Sequence, residues 1–299
     1  MNPDCLQHCL TPEESAAFNE QGFLVIENAV DSETLGRVVA AVDAIDAAER
    51  DVENGADKLL SVTNVLHRSP LFAEMLDWPR VFPKVWGALG WNIYCYHSHL
   101  DVTPPANRET AVWDVAWHQD SMRVNDEIET HPRPRLSLKV GFYLSDVSEP
   151  GRGNTLVVPG SHLQDEIELL QDGFASPEGA EPLCVPAGSA VLLDRRVWHS
   201  RSLNASDITR KVLWLGYSYR WMRPKDEMTV EHMLADASPV RRQLLGAGSA
   251  NSAYDPQGAD VPLRAWLQEH CPDAAAWTRH ARPQARPPAM VRGTNLGRQ

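Results

Sequence analysis

His118 and Asp120, in the run Trp117-His-Gln-Asp120, are the residues of this 299-residue chain whose types and spacing most directly permit chemistry. In an extended strand, side chains at i and i+2 share a face, so this imidazole and carboxylate can point at one ion while Gln119 points away. They make half of a metal site. A second histidine, in Val197-Trp198-His199-Ser200, completes a set of two histidines and one carboxylate. Such a set occupies one face of an octahedral Fe(II) and leaves the other positions open. Alone, His-x-Asp is a weak signal that most often marks a surface histidine, so the reading rests on what the rest of the chain builds around it.

The elements that must position these ligands are legible from patterning. Thr11 as N-cap, Pro12 at the first helical position and Glu14 at N3 predict a short helix ending near Gly22. Phe23 to Ile26 reads as a buried strand, and Asp31 caps a longer helix whose Leu35, Val38, Val39, Val42 and Ile45 form one apolar stripe. Residues 51–62 read as a polar loop. Asn64 to Gly90 is helical in pattern, broken at Pro70, Pro79 and Pro83, where the backbone N–H is missing. From residue 92 the texture becomes β-rich. Strands are expected at Asn92 to Asp101, Trp117 to Asp120, Leu136 to Leu144, Thr155 to Pro159, Cys184 to Gly188, Ser189 to Leu193 and Lys211 to Tyr219. Their Gly/Pro-rich turns predict an all-β sandwich or barrel. Helices return at Asp226 to Ala235, Pro239 to Leu245 and Pro262 to His270.

Composition sets the outer bounds. With 43% hydrophobic and 23% charged residues the chain can bury a substantial core. A net charge of −12 argues against nucleic acid or an anionic membrane as partner, since both need clustered Lys and Arg, and leaves a small molecule. Five scattered cysteines (Cys5, Cys9, Cys95, Cys184, Cys271) make no disulfide framework. No leader pattern opens the chain and no apolar run is long enough to span a bilayer, so a reducing cytoplasm is expected. Cys5, His8 and Cys9 could bind zinc, but no second ligand pair follows at zinc-finger spacing, and a mobile terminus is the reading. Six acids between His162 and Cys184 (Asp165, Glu166, Glu168, Asp172, Glu178, Glu181), with no Lys or Arg, read as a solvated insertion before they read as a lid. Residues 279–299, with five arginines, three prolines and no acid, read as a disordered or loosely docked tail before they read as a partner-binding arm. Oligomeric state is not legible.

Arg210 adds a second chemical requirement. Arg210, Val212, Trp214, Gly216 and Ser218 share one face of the last strand. A guanidinium in an apolar interior is costly unless a carboxylate meets it in a paired geometry, which a bound dicarboxylate supplies. A surface arginine at a loop-to-strand junction is the alternative. By parity Phe142, Trp214 and Arg220 face inward and are candidates to line a substrate site, whereas Trp117 and Trp198, each next to a ligand, point outward. Arg195 can reach the mouth to meet a substrate carboxylate, or form an exposed salt bridge.

Four ordered segments, Trp117 to Asp120, Gly153-Asn-Thr-Leu-Val-Val-Pro-Gly-Ser-His162, Pro186 to Asp194, and Trp198-His199 through Arg210, resemble the phytanoyl-CoA dioxygenase family. That family groups Fe(II)- and 2-oxoglutarate-dependent oxygenases, ectoine hydroxylases among them. The resemblance runs from about Phe18 to Pro224. It implies a mainly β fold with flanking helices around a double-stranded β-helix, a cupin-like jelly roll. The implied layout is one oxygenase domain over 1–278, with a helical scaffold at about 11–90, a core at about 92–222 and closing helices at about 226–278.

The resemblance also implies roles. His118, Asp120 and His199 would hold Fe(II), Arg210 would bind the distal carboxylate of 2-oxoglutarate, and His97 would lie near that cosubstrate. O₂ and 2-oxoglutarate would become succinate and CO₂ as an unactivated C–H bond of a small substrate is hydroxylated. Relatives often carry Ser two positions after the distal histidine; here that position is Arg201, and the serine role stays unassigned. Halogenating relatives have a small residue in place of the carboxylate, so Asp120 argues against halogenation. Desaturation, epoxidation and ring formation stay open, since they differ only in how the substrate is positioned. A metal-binding β-barrel that binds a small molecule without turnover and a zinc hydrolase are competing readings, and neither gives Arg210 a purpose. No phosphate-binding Gly loop or basic cluster asks for a CoA ester, so a small free metabolite is the expected substrate.

Overall fold

The computed structural model describes residues 1–50, 55–106, 116–170, 173, 175–254 and 261–273. The expected tail at 279–299 and Asp172 of the acidic segment lie outside these residues.

The helical layer forms where its local signals stand. Thr11 and Glu14 build a reciprocal capping box at the start of α1 (Pro12–Gln21), and Gly22 closes that helix in the left-handed region at φ 83°. Asp31 accepts the Thr34 N–H at 2.8 Å to start α2 (Ser32–Glu49), whose Val38, Val42 and Ile45 are buried as one stripe. Proline in the first turn starts both α3 (Pro70–Glu74) and α4 (Phe82–Leu89). Two expectations fail here. Leu60–Thr63 is a strand, β2, following β1 (Phe23–Ile26), because its register against the next strand gives its backbone groups partners and buries Leu60. Glu231–Met233 is a single 3₁₀ turn where the pattern predicts a helix over Asp226 to Ala235, because Met228 takes a left-handed backbone at φ 52°, which an α-helix does not pass through.

Two antiparallel sheets carry the rest. The large sheet has the order β1-β7-β4-β9-β3-β2, with β3 at Ile93–Thr103, β4 at Ser137–Tyr143, β7 at Ser189–Asp194 and β9 at Arg210–Tyr219. The small sheet has the order β6-β5-β8, built from β5 (Thr155–Val157), β6 (Glu181–Pro182) and β8 (His199–Arg201). α5 (Met122–Glu127) follows the ligand motif, and α6 (Pro239–Leu244), α7 (Ala250–Tyr254) and α8 (Pro262–His270) close the chain.

Alternation divides the large sheet between two jobs. Leu138, Val140 and Phe142 of β4 and Leu213, Leu215 and Tyr217 of β9 join the main core with α2, α3 and α4. Tyr143, Val191, Leu193, Val212 and Trp214 form a second apolar cluster with Val157 of the small sheet, and this cluster floors the space between the sheets. A register shift between Cys95 and His97 in β3 re-aims that strand, so that His97, His99, Asp101 and Thr103 lie opposite Gly216, Trp214, Val212 and Arg210. Among the described residues no helix is long and apolar enough to cross a membrane.

Candidate metal centre

His118 is not in a continuous strand. It makes one isolated antiparallel bridge to His199 on β8, each residue's N–H donating to the other's carbonyl at 3.0 Å. Residues paired this way lie directly opposite, with both side chains on one face. The two imidazole centroids are accordingly 4.3 Å apart. Asp120 is fixed by its own N–H, which donates to the Arg195 carbonyl at 2.8 Å, before Ser121 turns the chain into α5 at φ 62°. Potential ligand atoms of His118, Asp120 and His199 all lie within 4.8 Å of one another, the one such group among the described residues.

The donor set fits a divalent metal. Nδ1 of His118 donates to the Ala116 carbonyl and Nδ1 of His199 to the Val197 carbonyl, both at 2.8 Å, so each ring turns a bare Nε2 lone pair outward. Asp120 Oδ2 is buried without a hydrogen-bond partner. Burial pushes the His199 imidazole down to about 3, with His118 adding to the effect, which keeps it a neutral ligand at physiological pH. Burial alone would raise the Asp120 carboxyl, but Lys139 and the two histidines outweigh it and hold the group ionised, well below the usual carboxylate range.

A cavity of about 120 Å³ adjoins these ligands between the two sheets. Its walls are His99 and Asp101 of β3, Lys139 of β4, Thr155 of β5, Arg201 of β8, and Arg210 and Trp214 of β9. Arg210 is only 1% exposed. One of its Nη atoms donates to Thr155 Oγ1 at 3.0 Å, while Nε and the other Nη are buried without a partner. Gly153, at φ 69°, lets the turn before β5 pass close to this side chain, since a Cβ there would sit 3.1 Å from Arg210 Cδ. His99 stacks on Trp214, and burial pushes its imidazole down to about 3. Burial would raise the Asp101 carboxyl, yet His99, Arg210 and Arg201 around it keep it below the ordinary range.

The remaining site candidates divide. Trp214 lines the cavity. Phe142 does not: it is buried in the helix-facing core, because the inner face of β4 is that of Lys139, Gly141 and Tyr143. Arg220 sits at a separate cavity near the closing helices, with Nη2 on Ser252 Oγ at 2.7 Å. Arg195 is buried and reaches no mouth; it donates to Asn125 Oδ1 at 2.5 Å and to the Pro134 carbonyl at 3.1 Å, bracing the segment that carries Asp120. His97 stands behind His99, paired through Nδ1 with Asp226 at 2.5 Å. Sequence reasoning missed His99, Asp101 and Lys139, although the alternating polar residues of β3 and the single lysine in an apolar strand were signals for them.

Gln119, pointing away from the ligands, is a hub. It donates to the Gln164 carbonyl at 3.1 Å and the Arg196 carbonyl at 2.6 Å and accepts from Arg133 at 3.2 Å. Asp165 in turn accepts the Arg133 N–H at 3.1 Å and pairs with His131. The start of the acidic segment is therefore tied to the ligand motif, where the charge pattern had suggested a solvated insertion.

The sequence and the fold have known counterparts. The chain is 23% identical over 237 residues to the ectoine dioxygenase of Nocardia farcinica, covering 69% of this chain and 77% of that protein. It is 22% identical over 267 residues to the ectoine dioxygenase of Streptomyces coelicolor, covering 77% and 83%. Its fold matches that of HygX from Streptomyces hygroscopicus, solved with nickel and 2-oxoglutarate bound, with a TM-score of 0.59 and 18% identity over 72% of this chain and 90% of that one. It also matches the epimerase SnoN in complex with Fe³⁺, alpha ketoglutarate and nogalamycin RO, with a TM-score of 0.56 and 19% identity over 75% and 88%. Residues 18–212, the stretch that carries all three ligand candidates and Arg210, match the family model of the phytanoyl-CoA dioxygenases, and the chain belongs to that family.

Proposed function

We propose that this enzyme is an Fe(II)- and 2-oxoglutarate-dependent dioxygenase that hydroxylates an unactivated C–H bond of a small free metabolite. The observation that carries the reading is Arg210, a buried guanidinium with two unpartnered nitrogens in the same cavity as the ligand set. A pure binding barrel or a zinc hydrolase has no use for a buried guanidinium with two unfilled donors there, whereas a dicarboxylate cosubstrate meets them in a charge-assisted pair. Ectoine dioxygenase relatives, and structural neighbours solved with a metal and 2-oxoglutarate, support the same assignment. The core is read as a double-stranded β-helix within one domain spanning 1–278, in a reducing cytoplasm.

His118, Asp120 and His199 would hold the iron, which when bound with 2-oxoglutarate and O₂ supplies the oxidising power for C–H hydroxylation as succinate and CO₂ form. The chain's own contribution is placement. Carbonyls of Ala116 and Val197 fix the two imidazoles by their Nδ1–H groups. Arg210 and Thr155 take the far carboxylate of the cosubstrate and set its direction along the cavity. Trp214 and Leu193 line the same cavity as apolar wall and displace water from it.

The test is visible absorption of anaerobic apo-protein given Fe(II) and then 2-oxoglutarate. A charge-transfer band that needs both additions and vanishes in His118→Ala supports the reading. No band in folded wild-type protein overturns it. A screen of free metabolites against acyl-CoA esters, read by succinate release and a product gain of one oxygen, tests the substrate class; turnover of CoA esters alone overturns that part.

A further inference from the structure

Lys139 is the only charged residue of β4, and it is 8% exposed on the cavity wall beside the ligand set. An ammonium there is costly twice over, since it is desolvated and it repels any divalent cation held by the ligands. What offsets the first cost is a 2.8 Å bond from Nζ to Asp120 Oδ1. The other carboxylate oxygen, Oδ2, is buried without a partner. The two oxygens are thus differentiated before any ion arrives, one occupied and one bare. The Asp120 backbone is already fixed at both ends, by its N–H on the Arg195 carbonyl and by Asn125 Nδ2 donating to its own carbonyl at 3.2 Å. The remaining freedom is rotation of the carboxylate, and Lys139 is the group that removes it. Lys139 is itself anchored in the middle of the large sheet, opposite Leu193 on β7 and Gly216 on β9, with the Trp214 ring 6.0 Å from Nζ.

We infer that Lys139 is a positioning residue of the metal centre, holding Asp120 by Oδ1 so that the carboxylate serves as a one-oxygen ligand through Oδ2. This rests on the metal-centre reading above. Oδ2 would then be the one carboxylate oxygen offered to the ion, since Oδ1 is withheld by its bond to Nζ.

Lys139→Met tests this by the sign of its effect. The variant keeps the stem and removes the charge and the donors. A lysine acting only as a nearby charge predicts tighter metal binding once it is gone, because a repulsion has been removed. A positioning lysine predicts weaker binding, roughly 10- to 100-fold in Kd, as for loss of other groups that orient metal ligands. The measurement is anaerobic titration of apo-protein with Fe(II) and with Co(II), with circular dichroism confirming the fold. Unchanged or tighter binding by folded Lys139→Met overturns the role of Lys139 and leaves the metal centre standing. Absence of metal binding by the wild type overturns the metal centre and the lysine's role with it. A second measurement needs no variant at position 139. The metal-induced infrared difference spectrum of ¹³C-aspartate-labelled wild type, with Asp120→Ala as the assignment control, gives a wide splitting between carboxylate stretches for one-oxygen ligation. A narrow splitting, that of a chelating carboxylate, overturns the proposal.

Discussion

His118 and His199 are joined through the backbone and not through their side chains: each N–H donates to the other's carbonyl at 3.0 Å, and the rings stand side by side as a result. Ligand spacing is therefore set by a main-chain pairing that survives loss of either ring. His118→Ala is expected to abolish metal binding while changing stability by less than about 1 kcal/mol, as for a substitution away from the packed core. Thermal melting of the apo-protein alongside metal titration checks it; a large loss of stability would mean that the ring itself is structural.

Arg210 has two nitrogens waiting for acceptors. Arg210→Ala is expected to raise the KM for 2-oxoglutarate roughly 10- to 100-fold, the worth of one or two hydrogen bonds to a charged group. Arg210→Lys keeps the charge but loses the planar fork, so it should recover only part of the affinity. Steady-state kinetics over a range of 2-oxoglutarate decides. A Lys variant equal to wild type would mean that charge alone suffices.

Gly141 lies directly opposite Trp214 in the sheet, and a Cβ at 141 would come within 2.6 Å of the indole ring. Gly141→Ala must therefore push Trp214 into the cavity or distort the strand, at about 1–3 kcal/mol for overpacking. Combining it with Trp214→Leu should restore much of the lost stability, with a coupling of about 1 kcal/mol or more in a double-mutant cycle. Additive effects from urea denaturation would show that the two residues do not compete for the same space.

Asp194 is fully buried between Arg135, at 2.5 Å, and Arg196, at 2.7 Å. Burial would raise its carboxyl, but the two guanidinium groups override that and bring it down to about 2. A carboxyl depressed in the folded state stabilises the fold above its unfolded value and loses that contribution as pH falls through the folded one. Asp194→Asn should cost on the order of 2 kcal/mol near neutrality, and the gap to wild type should shrink as pH falls from about 4 toward 2. Denaturation curves at neutral and acid pH test the sign; a gap that widens on acidification contradicts it.

The parts of the site that the sequence reveals are those whose chemistry is rare. A histidine and a carboxylate two apart, a distant second histidine and an arginine on a strand of known parity are each weak signals alone, and become readable together because few structural roles require the whole set. The β3 and β4 contributions are harder. Every residue of β4 is buried, so burial does not separate the face toward the helices from the face toward the cavity. Parity alone makes Phe142 a candidate for the inner face, but the alternate set of β4, which carries Lys139, is the one that faces the cavity. In β3 the shift between Cys95 and His97 changes the parity midway, and sequence alternation carries no sign of where such a shift falls. Arg220 lies past the end of β9, where strand parity no longer applies.

The two sheets differ in how firmly they are sewn. The strands that supply Arg210 and the cavity floor are 10 and 7 residues long, whereas β5 and β8 have 3 each and β6 has 2. His199 thus sits on the lightly paired half, and His118 joins it by a single bridge. Amide protons there should exchange with solvent well before those of β3 and β9, because fewer neighbouring bonds must open together. An ion on His118, Asp120 and His199 would slow that exchange locally, so hydrogen–deuterium exchange can reveal ligand occupancy without any turnover. The cosubstrate end would hardly move, and the metal end would report on itself.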